Sequence, residues 1–144
     1  MKQFRFALAR VLDWRRTQLR VEENKLETLY AELRAIEAQL RETEHAREES
    51  GRELIQAGSA TGAELAALDR FQLASTAECA RLSEAASASR QRIGAQMPAV
   101  LRRQREVRLL EHLEARKLAA WNTELAREID MEASELHLVK WRSR

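Results

Sequence analysis

One row of leucines constrains the fold of this chain more than any other feature. The row recurs every seven residues, and further apolar residues fall four before or three after its members. This spacing averages 3.5 residues, which keeps the apolar seam on one side of a slightly supercoiled helix. Because no Gly or Pro interrupts it, the pattern predicts a long helix that lies against another helix. The row is Leu12, Leu19, Leu26, Leu33 and Leu40, and the interleaved residues are Leu8, Leu29 and Ile36.

The composition favours the same class of protein. The chain has 144 residues, of which 33% are charged and only 5% aromatic, as is typical of coiled coils and long helices. The net charge of +2 is too balanced to indicate a nucleic-acid partner. The lone cysteine, Cys79, excludes an internal disulfide and suits a reducing compartment. We predict a single elongated all-α domain spanning residues 1–144.

A turn divides the helical pattern into two arms. Small residues and two glycines gather near 58–61, which makes this the best turn candidate in the chain. Thr61 followed by Glu64 has the form of a capping box, which marks the start of a second helix. We therefore predict a long antiparallel two-helix coiled-coil hairpin with a first arm over 4–57 and a second arm over 62–141.

The second arm is less regular than the first. Its apolar edge is thin, and Gln72 and Ser75 interrupt it. Gly94 and Pro98 predict a kink or short break near 94–98, because proline disfavours the helix interior. The second arm is also longer than the first. Either it overhangs the N-terminus, or the region before the proline folds into its own short packing at the tip.

The sequence contains no arrangement of residues that indicates catalysis or metal binding. His45, His112 and His137 lack the spacing of zinc-binding motifs, and Cys79 has no nearby partner cysteine. There is no glycine-rich phosphate loop. We predict that the protein is not an enzyme and has no catalytic residue, metal site or cofactor.

The chain also lacks the patterns that direct a protein into a membrane. No apolar run approaches the roughly 20 residues that a membrane span needs, and the N-terminus lacks a continuous apolar signal region. We predict a cytoplasmic protein, soluble or peripherally attached.

Basic residues are concentrated near the N-terminus and early in the last third of the chain. In a hairpin these segments lie on the same side, which predicts a basic end, although solvated helix faces explain the same charges. Several apolar residues also lie off the leucine seam. They either pack against the C-terminal arm, near Trp121 or Trp141, or form a docking strip for a partner. These residues are Phe4, Val11, Trp14 and Val21, and Phe71 poses the same choice near the tip.

The opening residues resemble the FliJ family of flagellar type III export proteins. Residues 6–15 read FALARVLDWR and are similar to the F-x-L-x-x-V-L-D-x-R start of that family. A leucine heptad arm follows, and an Arg/Gln/Leu-rich segment from Leu101 to Leu118 is closed by an acidic stretch over 128–132. The central section departs from the family pattern, because it is rich in Ala and Ser where members often carry tyrosines.

The resemblance implies a non-enzymatic stalk similar to the stalk subunit of rotary ATP synthases. Such a protein binds and stimulates the hexameric export ATPase FliI, contacts the cytoplasmic domain of the export gate protein FlhA and escorts empty export chaperones. It would be cytoplasmic and held peripherally at the inner face of the cell membrane by the export apparatus. The residues expected to bind partners are Phe71 at the gate end and, at the ATPase end, Arg10, Trp14, Arg15, Arg16, Arg102, Arg103, Arg105 and Arg108.

Three other functions are compatible with the pattern. The first is the equivalent stalk protein of a virulence-type type III secretion system. The second is a generic structural coiled coil that self-associates into parallel dimers. The third is a nucleic-acid binder that uses the basic end, but the chain lacks a recognisable reading motif, so no specific nucleic acid is expected.

Overall fold

The chain folds into two helices. The computed structural model describes residues 2–142, with helix α1 over Ala9–Gln56 and helix α2 over Gly62–Arg142. The described residues contain no strand, and none of their helices combines the length and apolar character that crossing a membrane requires. The all-α helical hairpin predicted from the sequence is confirmed.

The chain forms two compact units, each of which pairs a segment of α1 with a segment of α2. Unit 1 comprises Met1–Val21 and Leu101–Arg144, and unit 2 comprises Glu22–Val100. Each unit is described by itself below. The single-domain organisation predicted for the whole chain stays a prediction.

The loop between the helices carries the local signals that end one helix and begin the next. Gly58 has a φ of +73°, the left-handed conformation that often ends a helix, and its N–H donates to the carbonyl of Ile55 at 3.3 Å. Thr61 and Glu64 form the predicted capping box. The Thr61 N–H donates to the Glu64 carboxylate at 2.9 Å, and the Glu64 N–H donates to the Thr61 hydroxyl at 3.2 Å. The turn lies near 58–61, as predicted.

Helix α1 begins five residues later than the predicted start at Phe4. Residues 2–8, here called the N-terminal strap, are not helical. The Phe4 and Trp121 rings lie 6.1 Å apart, and the Trp121 indole donates to the Lys2 carbonyl at 3.3 Å. A helix starting at Phe4 could not keep these contacts, because it would redirect the strap backbone. Phe4 therefore packs against the C-terminal arm, one of the two expectations for the off-seam residues.

Helix α2 runs through Pro98, so the short break considered near 94–98 does not occur. Proline normally conflicts with the carbonyl of the residue four positions earlier, which here belongs to Gly94. A side chain at Gly94 would meet nothing within 4 Å beyond the adjacent helix backbone, so no neighbouring side chain crowds this turn. Ile93, which precedes Pro98, and Val100, which follows it, are both buried. Their packing holds the helix across a residue that would otherwise favour its end.

A small apolar cluster joins the two helices of unit 2. Leu33, Ala86 and Ile93 are 9%, 1% and 8% exposed, so each is almost fully removed from water. Leu33 belongs to the leucine row, which confirms that the row faces the second helix. The half-buried residues that pack against this cluster are Leu26, Leu29, Tyr30 and Ile36.

The seam of α2 in unit 2 is more regular than its sequence suggests. Its covered residues alternate at spacings of four and three, although many of them are small or polar. Gln72 and Ser75, predicted to interrupt the apolar edge, instead lie within this seam, and Ser75 is buried. Small residues let the helices approach closely, so they occupy seam positions without large apolar side chains. The seam consists of Leu68, Gln72, Ser75, Cys79, Leu82, Ala86, Ser89, Ile93, Gln96 and Val100.

Polar contacts across the seam show that the helices of unit 2 are antiparallel. Near the loop, the Gln72 amide donates to the Arg47 carbonyl at 2.9 Å. At the far end of the unit, the Gln96 amide donates to the Glu22 carbonyl at 3.2 Å. Residue numbers thus rise along one helix as they fall along the other. Glu22 and Arg47 of the first arm thus each accept a hydrogen bond from a glutamine side chain of the second arm.

Candidate partner-binding surfaces

A shared carboxylate joins the two helices of unit 1. Glu106 on α2 accepts from Arg15 on α1 at 3.0 Å and from Arg103 on its own helix at 3.1 Å. The three side chains are 32%, 31% and 25% exposed, respectively. Arg15 and Arg103 were predicted to bind a partner, and the structure places both on this carboxylate. Both guanidinium groups are thus paired with a carboxylate within unit 1, which also contains the buried residues Leu12 and Val107.

The pKa of Glu106 responds to this contact and to the nearby charge of Arg102. The hydrogen bond from Arg103 lowers the pKa of Glu106 below its ordinary value, partial desolvation opposes the shift, and the charges of Arg15, Arg103 and Arg102 reinforce it. Because the pKa of Glu106 is lower in the folded protein, ionised Glu106 stabilises the fold above the ordinary glutamate pKa of about 4.3. This contribution is lost as the pH falls through the lowered value.

Replacing Glu106 with Gln should therefore destabilise the protein at pH 7 and have a smaller effect at pH 3. Urea unfolding followed by circular dichroism at 222 nm at both pH values measures this. Glu27→Gln is the matched control, since Glu27 is exposed and makes no ion pair among residues 2–142. An equal loss of stability at both pH values for Glu106→Gln would rule out the ionised contact as its cause.

Arg16 makes a second contact between the helices of unit 1. Its Nη2 lies 3.0 Å from Oε1 of Glu111 on α2, and its Nη1 lies 3.8 Å from Asp13 on its own helix. About half of each side chain of the Arg16–Glu111 pair is exposed, at 48% and 44%. An exposed pair of this kind adds little stability, so Arg16 can exchange its partner at small cost.

Trp14 lies on an exposed apolar strip of α1. Trp14, Val11 and Val21 are 54%, 41% and 47% exposed, and their spacings of three and seven place them on one face of the helix. The guanidinium carbon of Arg15 lies 5.0 Å from the Trp14 ring centre, a cation–π distance that orients the indole. Of the four off-seam residues, Phe4 therefore packs internally, whereas these three form the accessible strip.

The remaining predicted arginines of unit 1 are exposed. Among the residues that the structure describes, Arg10, Arg102, Arg105 and Arg108 make no ion pair, although the charge of Arg102 acts on Glu106. Arg102 and Arg105 share an outer face of α2 with Leu109, which is 74% exposed. This face offers positive charge beside an apolar side chain to a partner.

Phe71 lies in unit 2. Its side chain is 42% exposed and borders a shallow groove of about 390 Å³ between α1 and α2. Glu42 and Glu78 also line the groove. A hydrogen bond from Arg81 lowers the pKa of Glu78, against a weaker effect of desolvation and with the Arg81 charge reinforcing it. The groove thus combines one aromatic ring with negative charge.

The described residues offer little for chemistry. Among residues 2–142, no group of three His, Cys, Asp or Glu side chains is placed to hold a metal ion. A cavity of about 450 Å³ lies between the N-terminal strap and α2. Its ionisable lining residues are Arg5, Lys117 and Glu124, without a nucleophile beside a base.

Comparison with protein-family models, curated proteins and solved structures finds no match to this chain.

The sequence identified the arginines of unit 1 by their charge, but it did not reveal the carboxylates that pair with Arg15, Arg16 and Arg103. Arg15 and Glu106 are separated by 91 residues, and Arg16 and Glu111 by 95. Pairing them requires the register of the hairpin, which the weak apolar pattern of α2 conceals. Arg103, which pairs with Glu106 alongside Arg15, lies three residues before Glu106 in the sequence. This spacing is the local signal of the contact.

Proposed function

We propose that this protein is a non-enzymatic stalk of flagellar type III protein export. In this role it binds and stimulates the hexameric export ATPase, contacts the cytoplasmic domain of the export gate and escorts export chaperones. Its peripheral position at the inner face of the membrane would come from the export apparatus. The proposal rests on the FliJ-like opening over residues 6–15 and on the antiparallel pairing of two long helices.

The observation that carries the proposal is the exposed positive charge of unit 1. Arg102, Arg105 and Arg108 leave their guanidinium groups open to a partner, and Trp14 adds an exposed aromatic side chain. Arginine and tryptophan contribute strongly to the affinity of protein interfaces. We assign the ATPase contact to these residues and to Arg10. Arg15 and Arg16 instead contact carboxylates across the helix pair, and Arg103 shares the carboxylate that Arg15 contacts.

Charge reversal of the exposed arginines tests this assignment. The triple variant R102E/R105E/R108E should bind the cognate export ATPase at least about tenfold more weakly at low salt, because complementary charge accelerates association. The difference should shrink at high salt, where exposed charges are screened. Sedimentation of the complex and the rate of ATP hydrolysis at limiting stalk concentration measure the two effects.

The matched control reverses three exposed arginines of unit 2. In R34E/R41E/R70E none of the changed residues makes an ion pair among the described residues. This variant has the same net charge as the first and should retain binding and stimulation. Equal losses in both variants would show a general charge effect. Absence of both binding and stimulation by the unmodified protein would refute the proposed function.

Parallel assays with a flagellar and a virulence-type ATPase distinguish the two secretion systems. Charge patterns on a stalk favour one ring over another through association rate. We expect stronger stimulation of the flagellar ATPase. The gate contact is assigned to Phe71, whose half-exposed ring borders the acidic groove of unit 2.

A further inference from the structure

The last four turns of α2 are uncovered within the described residues. Every side chain from 126 to 142 is exposed, whereas Trp121 and Leu125 are still half-buried in unit 1. Ile129, Leu136 and Val139 are 55%, 67% and 65% exposed. Large apolar side chains that are this exposed mark a contact surface when they lie on the same face of a helix.

These apolar residues continue one stripe of the helix. Leu118 and Ile129 are eleven residues apart, as are Leu125 and Leu136, and this spacing corresponds to three helical turns. We name Ile129, Leu136 and Val139 the uncovered apolar row. It follows Trp121, which contacts the strap, and the half-buried Leu125. The row therefore extends the face of α2 that pairs with the N-terminal residues.

A line of carboxylates follows one edge of this row. Each of its members directly precedes an apolar residue of the stripe, so they occupy a single flank. No ion pair among the described residues engages any of them. The opposite flank carries Ala126, Ala133 and Lys140 and has little negative charge. The acidic flank consists of Glu124, Glu128 and Glu135, and Glu132 lies at its border, within the stripe between Ile129 and Leu136.

We propose that the uncovered apolar row is the docking site for a basic amphipathic helix of a partner protein. Such a helix places its apolar stripe on the row and its Lys or Arg residues against the acidic flank, as in other helix-in-groove complexes. The charge pattern of the row determines the chemistry of the occupant. This inference does not depend on the export function proposed above, and its surface is distinct from that of Arg102, Arg105 and Arg108.

The charge pattern also disfavours the other occupants of an apolar helix face. In an antiparallel pair formed with a second copy, the acidic flanks would face each other and repel. In a parallel pair each acidic flank would face an alanine-rich flank on which Lys140 alone carries a full positive charge, so most of the carboxylates would lack a partner. An anionic membrane surface attracts basic flanks and repels an acidic one. A basic helix satisfies both the apolar row and the carboxylates.

A labelled model helix tests the proposal on the full-length chain. The probe is a synthetic 18-residue peptide with a leucine stripe flanked by lysines, followed by fluorescence anisotropy. We expect saturable binding with a dissociation constant on the order of micromolar. The variant I129S/L136S should bind the peptide at least about tenfold more weakly, since both substitutions remove apolar contact area.

The control variant is M131S/L138S. Met131 and Leu138 are 62% and 66% exposed and lie roughly half a turn around the helix from Ile129. This variant should retain the affinity of the unmodified protein. A second variant, E128K/E132K, should prefer a peptide in which glutamates replace the lysines. Circular dichroism verifies that each variant keeps its helix content.

Four results would overturn the proposal. They are absence of saturable binding, equal binding of a scrambled peptide of the same composition, equal weakening by M131S/L138S, and an unchanged peptide preference in E128K/E132K. Sedimentation equilibrium that shows a dimer lost in I129S/L136S would assign the row to a second copy instead. Binding to anionic vesicles lost in that variant would assign it to a membrane surface. Either of these results leaves the ATPase assay unaffected.

Discussion

Replacing Leu33 with Ala should lower the free energy of unfolding by about 2–5 kcal/mol, the range for a buried leucine that leaves a cavity. Leu33 is 9% exposed and contacts the cluster formed with Ala86 and Ile93. Alanine at position 86 cannot extend into the space that the leucine leaves. The neighbouring helices would have to shift to close the cavity, and the other seam contacts oppose such a shift.

Urea unfolding at pH 7, followed by circular dichroism at 222 nm, measures the effect. Leu73→Ala is the matched control, since Leu73 lies in the same unit with 65% of its surface exposed. The control should change the free energy of unfolding by no more than about 0.5 kcal/mol. If both substitutions had the same effect, the leucine row would not be the interface between the helices.

Two substitutions at Ser89 should change stability in opposite directions. Ser89 is completely buried, and its hydroxyl has no hydrogen-bond partner among the described residues. Ser89→Ala removes an unsatisfied polar group and should raise the free energy of unfolding by about 1 kcal/mol. Ser89→Leu adds volume where the helices are close and should lower it by about 1–3 kcal/mol.

The same urea titration distinguishes these outcomes. A Ser89→Ala midpoint below that of the unmodified protein would show that the hydroxyl is satisfied in solution, for example by a bound water. A Ser89→Leu midpoint above it would contradict close packing at this position, because it would show space for a larger side chain. Ser87, which is exposed on the same helix, provides the control site for both changes.

The sequence predicted the first helix, the turn and the hairpin because each has a strong local signal. The leucine row repeats without interruption, and Thr61 and Glu64 form their capping box through neighbouring atoms. The seam of α2 was harder to predict because Ser75 and Ser89 are buried without being apolar. Continuity through Pro98 could not be predicted, because local propensity disfavours proline in a helix, whereas here the proline lies between buried Ile93 and Val100 in one continuous helix.

The sequence predicted which types of residue form the candidate surfaces, but it did not predict which of these residues are exposed and which are paired. Charge alone could not separate Arg15, which contacts Glu106 across the helix pair, from Arg105, which is exposed. That distinction depends on which residues lie opposite each other, and this is a property of the register. The exposure of the uncovered apolar row also depends on tertiary contacts, because the described part of the strap contacts α2 at Trp121, before the row.

The polar seam contacts of unit 2 affect which substitutions its sequence can tolerate. Gln72 meets Arg47 at one end of the unit, and Gln96 meets Glu22 at the other. Sliding one helix by a heptad would separate both pairs at once. Together with the leucine row these two pairs favour the observed alignment, so the aliphatic residues between them can exchange among similar sizes over evolutionary time without producing a misaligned fold.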